Sequence, residues 1–126
     1  MANSGEGSVA RAASSALAEM VEEARRGVVE VSTGGRGTGA GVIWPGEGLV
    51  LTNNHVVVWG QRRRDGVRVT LRDGRALGAE VVKRSRGLDL ALLRLRGETG
   101  GLSAFPVGNS DALRVGELVF AIGHPW

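Results

Sequence analysis

Cysteine is absent from the 126-residue chain, so no disulfide framework can support the fold and no thiol chemistry is available. Tyrosine is absent too, and two Phe and three Trp leave few platforms on which nucleic-acid bases could stack. Lysine occurs once, at Lys83, so nearly all of the 16 cationic residues are arginine and the net charge is only +3. The sequence pI of 10.9 follows from the very high pKa of arginine, not from a large charge excess. Arg62-Arg63-Arg64 is the one dense basic cluster; it reads as a solvated loop in preference to a nucleic-acid patch. No apolar run approaches the roughly 20 residues needed to cross a bilayer, so no membrane segment is expected. The first twenty residues hold no apolar h-region, only Ala, Ser and Gly around Val9 and Leu17. A secretory signal is therefore not expected here, and a cytoplasmic location is expected unless the N-terminus is incomplete.

What is abundant is glycine, with 21 residues, which favours turns, bulges and short strands over helix interiors. Residues 1–8 form a Gly/Ser-rich stretch with little to bury and are expected to be disordered. Over residues 9–27 the pattern is helical: Leu17, Met20, Val21 and Ala24 fall at i, i+3, i+4 and i+7, and Glu22 and Arg26 form an i, i+4 pair on another face. Gly27 is read as the C′ residue that stops this helix, whose apolar stripe would pack against the following domain.

From Val28 onward, short apolar runs alternate with turn residues. Strands are expected at 28–31, 39–44, 49–53, 67–71, 77–83 and 89–95. Val67, Val69 and Leu71 alternate with Arg68, Thr70 and Arg72, a half-buried strand that ends in the hairpin signal Asp73-Gly74. A seventh strand is expected from Gly116 to Gly123.

Two chemically suggestive residues sit at strand ends. His55 follows a strand and Asp89 precedes one, 34 residues later, so closure of the sheet can bring both to one rim. Alone, His55 would be read as a polar strand-end residue. Together, an imidazole and a carboxylate can serve as general base and orienting acid, the carboxylate fixing the imidazole tautomer and stabilising the imidazolium. His124 lies in the turn Gly123-His124-Pro125 with no carboxylate at ligand spacing, so two histidines without cysteine give no metal site, and no cofactor is expected.

The segments Gly39-Ala40-Gly41-Val42-Ile43, Leu49-Val50-Leu51-Thr52-Asn53-Asn54-His55-Val56-Val57, Leu71-Arg72-Asp73-Gly74-Arg75, Asp89-Leu90-Ala91-Leu92-Leu93 and Gly108-Asn109-Ser110-Asp111-Ala112-Leu113-Arg114-Val115-Gly116-Glu117 occur in order, followed by Ala121-Ile122-Gly123-His124-Pro125. Together they resemble the HtrA (Deg) branch of the trypsin-like serine proteases. The resemblance implies an all-β fold: a six-stranded chymotrypsin-type first barrel over 28–107, preceded by the N-terminal helix. Residues 108–126 would then be a linker and the first strand of a second barrel. It also implies peptide-bond hydrolysis through an acyl-enzyme, with His55 as catalytic base, Asp89 as its partner, and unfolded or damaged polypeptides as substrates.

The family's nucleophile lies in a Gly-Asn-Ser-Gly-Gly segment whose glycines let the serine amide turn toward the oxyanion. Ser110 has Gly108 and Asn109 before it but Asp111 and Ala112 after it, and Ser4 stands ahead of the barrel. Ser8, Ser14, Ser15, Ser32, Ser85 and Ser103 lack the context altogether. The 126 residues are therefore expected to be an N-terminal fragment, inactive alone, with self-association through the uncovered barrel face. The rival readings are a non-catalytic protein-binding barrel and a small basic nucleic-acid-binding barrel using Arg62 to Arg64.

Overall fold

Valine dominates the strand segments, and its branched Cβ packs well on a pleated surface. A computed structural model describes residues 4–34, 37–58 and 66–124; the Arg62–Arg64 cluster lies outside them. The elements run α1 (Ser4–Ala24), a 3₁₀ turn (Arg25–Gly27), β1 (Val28–Ser32), β2 (Thr38–Trp44), β3 (Leu49–Thr52), a one-turn helix α2 (Asn54–Val57), β4 (Val67–Thr70), β5 (Ala76–Ser85), β6 (Leu90–Leu95) and a second 3₁₀ turn (Ser110–Ala112). All six expected strands up to Leu95 are present.

The strands close into an antiparallel barrel in the order β1-β2-β3-β6-β5-β4, sealed where β1 pairs with β4. Alternation fills it: Val67 and Val69 point inward while Arg68 points out, and Ala91, Leu93 and Leu95 of β6 are buried with Arg94 exposed. Val29, Val31, Val50, Val69 and Leu93 are essentially inaccessible, each contributing about 1.5–3 kcal/mol of burial. A Cβ on Gly41 would come within 2.9 Å of both Val31 and Val50, so β2 uses glycine to let these valines meet. The expected Asp73-Gly74 hairpin forms, with Gly74 at φ 88° and the Asp73 carboxylate bonded to the Arg75 amide at 3.0 Å and its Nε at 2.7 Å. In β5 the register slips between Val81 and Lys83, leaving Val82 half-exposed as a bulge.

Several features outside the barrel depart from expectation. The helix begins at Ser4, so residues 4–8 are helical, not disordered; Glu6 in the first turn favours the positive end of the helix dipole. The Glu22–Arg26 pair is replaced by Glu22–Arg25 and Glu23–Arg26, because the chain tightens into a 3₁₀ turn that moves partners from i+4 to i+3. Arg72 of the barrel also reaches Glu22, and this ion pair holds the lower Glu22 pKa while tying α1 to the β4–β5 turn. Gly27 lacks the positive φ of a C′ residue; it is needed for space, since a Cβ there would meet the Phe105 ring at 2.7 Å. The stripe residues Leu17, Val21 and Ala24 are only half-buried and Met20 is 49% exposed, so most of α1 stands in solvent.

The strand expected from Gly116 to Gly123 is not formed. The segment is irregular and almost wholly exposed. A strand needs a partner ladder, and a closed barrel has no free edge to offer one.

Candidate active site

Barrel register brings the two site residues to one rim. Thr52, the last residue of β3, pairs with Ala91 of β6, so the chain leaving β3 and the chain entering β6 share one rim. Three residues beyond Thr52 is His55, and two before Ala91 is Asp89. Thr52 is itself fixed, with its buried hydroxyl donating to the Ala40 carbonyl at 2.8 Å.

His55 rides on α2, a single turn that buries Val56 and Val57 in the core and leaves the imidazole 71% exposed. The seat for Val56 is made by Gly39, where a Cβ would approach Val56 Cγ2 to 2.6 Å. Asp89 occupies the turn between β5 and β6, with its amide donating to the Arg86 carbonyl at 3.3 Å. Ser85 Oγ supports the same turn by accepting from the Leu88 amide at 3.3 Å.

The carboxylate of Asp89 engages His55 twice. Oδ2 lies 2.6 Å from His55 Nδ1, and Oδ1 accepts the His55 backbone amide at 2.9 Å. The bond to the imidazole, then the bond to that amide, holds the Asp89 carboxyl below the usual aspartate range, against a smaller opposing effect of desolvation. An acceptor on Nδ1 fixes the tautomer in which Nδ1 carries the proton and Nε2 keeps a lone pair able to take a proton. That is the chemistry of a general base.

The structure thus brings His55 and Asp89 together and leaves the other candidates apart. Among the described residues no serine hydroxyl is hydrogen-bonded to His55. Ser110 lies in an exposed turn in which Asn109 Oδ1 accepts the Asp111 amide at 3.1 Å, and Ser4 opens α1. His124 is half-buried in an irregular stretch, its Nδ1 without a partner among the described residues. No group of acidic, histidine or cysteine residues able to hold a metal ion occurs among the described residues.

Sequence reasoning missed two contributors. The Asn53 side-chain amide donates to the Asp89 carbonyl at 2.9 Å, and the Asn54 amide donates to the same oxygen at 3.1 Å. Their signal was the polar Thr-Asn-Asn run between an apolar strand and a histidine, which propensity alone assigns to helix capping.

The pattern of the trypsin-like peptidase domain matches residues 39–126. A chloroplastic Protease Do-like 1 of Arabidopsis thaliana is 40% identical over 91 residues, covering 72% of this chain and 20% of that protein. The periplasmic serine endoprotease DegP of Salmonella typhimurium is 40% identical over 89 residues, 70% of this chain and 18% of its own length. The serine endoprotease DegS of the same species is 36% identical over 91 residues, 72% and 24% respectively. The chain spans about a fifth of the length of the curated relatives it matches.

Proposed function

Because the chain belongs to the trypsin-like peptidase family, in its HtrA branch, we propose that it supplies the base and orienting acid of a serine endopeptidase. In this reading His55 Nε2 accepts the proton of a serine hydroxyl as that oxygen attacks a peptide carbonyl. The same proton then passes to the leaving amine as the acyl-enzyme forms, and water completes hydrolysis by the reverse roles. Asp89 stays ionised and holds the imidazolium through Nδ1–H. The observation that carries the proposal is the two-point contact of Asp89 with His55, at 2.6 Å to the imidazole and 2.9 Å to the amide. Unfolded or damaged polypeptides are the proposed substrate class.

These 126 residues are proposed to be inactive alone. No serine among the described residues bonds to His55, and the pair is 71% and 45% exposed. A solvated site of that kind gives weak electrostatic stabilisation, because charge interactions grow only as water is excluded. Activity would arise where this rim meets a polypeptide carrying the Gly-x-Ser-Gly-Gly segment.

The test adds such a C-terminal half in trans, with assembly followed by sedimentation. A serine-directed fluorophosphonate should label only the added half, and casein cleavage should appear only in the mixture. Stoichiometric labelling of Ser110 or Ser4 would overturn the proposal.

A further inference from the structure

Asp89 is the only non-glycine residue among those described with a positive φ, 51°. Left-handed backbone is disfavoured for residues with a Cβ and persists where surrounding bonds enforce it. Here the enforcement is visible. The Asp89 carbonyl accepts two hydrogen bonds from across the rim, from the Asn54 amide at 3.1 Å and from Asn53 Nδ2 at 2.9 Å. With the carbonyl so held, the carboxylate meets the His55 amide and imidazole.

A second, independent feature concerns the job Asn53 does not do. It stands at the N-cap of α2 with extended backbone, φ −84° and ψ 145°, where asparagine ordinarily accepts an amide of the first turn. It makes no such cap bond. Its amide group is used across the rim instead. Asp, Ser and Thr would serve a cap as well as asparagine does, but a carboxylate has no proton to give a carbonyl, and a hydroxyl reaches less far.

We propose that Asn53 is a positioning residue for the His55–Asp89 pair: its side-chain amide clamps the Asp89 carbonyl and so keeps the Asp89 peptide in the left-handed conformation that presents both carboxylate oxygens to His55. The inference rests on the base-and-acid reading for its functional meaning, but its geometry stands by itself.

The experiment is NMR on the whole 126-residue chain, labelled with ¹³C and ¹⁵N, comparing wild type with Asn53→Ala and Asn53→Asp. The readouts are the Asp89 backbone shifts and amide coupling, which report its φ, and the midpoint of its carboxyl titration. The melting temperature and the remaining amide fingerprint report the fold. In Asn53→Ala the left-handed signature should be lost or averaged and the Asp89 midpoint should rise toward that of an ordinary aspartate, with the barrel fingerprint unchanged. Asn53→Asp preserves size and capping ability but removes the donor, so it should lose the left-handed signature as well. A capping role predicts the opposite order, with Asp harmless and Ala lowering the melting temperature. Retention of the Asp89 signature in either variant overturns the proposal. None of these measurements needs turnover, so their failure leaves the proteolysis reading standing, and failure of proteolysis leaves this inference testable.

Discussion

Residues 28–95 and the segments flanking them obey the same propensities and reach different ends. Inside the barrel, Leu93 has no exposed surface; outside it, Leu118 is 79% exposed, Val119 72% and Val115 fully exposed. Both stretches carry apolar runs bounded by glycine. The difference is partners: each barrel strand has two neighbours in a closed ladder, whereas 113–124 meets a barrel with no edge left. Pattern specifies a strand only where topology supplies its ladder. The rim residues inherit their order from that closure, since His55 and Asp89 meet because Thr52 pairs with Ala91.

The strongest way to break this contrast acts on the rim. In the reconstituted protease, His55→Ala should lower kcat by about 10⁶, the scale seen when a triad base is removed. Asp89→Asn should lower it by about 10⁴ through the wrong imidazole tautomer, as in a trypsin-type triad. Substitutions of equal severity at His124, outside the barrel, should leave kcat unchanged. Steady-state kinetics on an assembled complex decides, and activity that ignores both rim substitutions refutes the assignment.

The second test compares the same substitution in both regions. Leu93→Ala removes a fully buried side chain and should cost about 2–5 kcal/mol of folding free energy. Leu118→Ala should change stability by no more than about 0.5 kcal/mol. Urea denaturation with equal slopes would measure both.

The same contrast explains what could be read in advance. Period-two alternation in Val67–Leu71, the Asp73-Gly74 turn and the strand-end positions of His55 and Asp89 are local signals, and local signals suffice when the ladder exists. Gly116–Gly123 looked identical, and only the closed topology excluded it. Gly27 looked like a helix stop, but its reason is the Phe105 ring, distant in sequence. Asn53 looked like a strand end, but its side chain bonds a carbonyl 36 residues away. Gly27, Asn53 and Gly116–Gly123 turn on partners that no short window contains, whereas the helical start at Ser4 and the i, i+3 ion pairs are local.

A smaller effect is expected from the exposed apolar flank. Leu118, Val119 and Phe120 together offer other copies of the chain an apolar surface. Sedimentation should show association that grows with concentration, and the pair Leu118→Glu with Phe120→Glu should return the chain toward monomer without altering its melting temperature. A monomer at all concentrations before substitution would refute the expected self-association.

The smallest effect sharpens the comparison through pH. Asp89 and Glu117 both have carboxyl pKa values held below their ordinary ranges, Asp89 first by its bond to His55 and Glu117 first by its bond to Arg114. A carboxyl depressed in the folded state adds stability that is present above its unfolded pKa and lost as pH falls through its folded pKa. The two should nevertheless differ. The Asp89 contact joins residues 34 apart and exists only when β3 and β6 are paired, so its depression vanishes on unfolding. The Glu117–Arg114 contact spans one turn of an exposed segment and can persist in the unfolded chain, where it leaves little difference between states. Asp89→Asn should therefore lower the urea midpoint at neutral pH and converge on wild type below the ordinary aspartate range, while Glu117→Gln should track wild type throughout. A Glu117→Gln chain that loses stability at neutral pH as Asp89→Asn does would mean that the flank is coupled to the barrel after all.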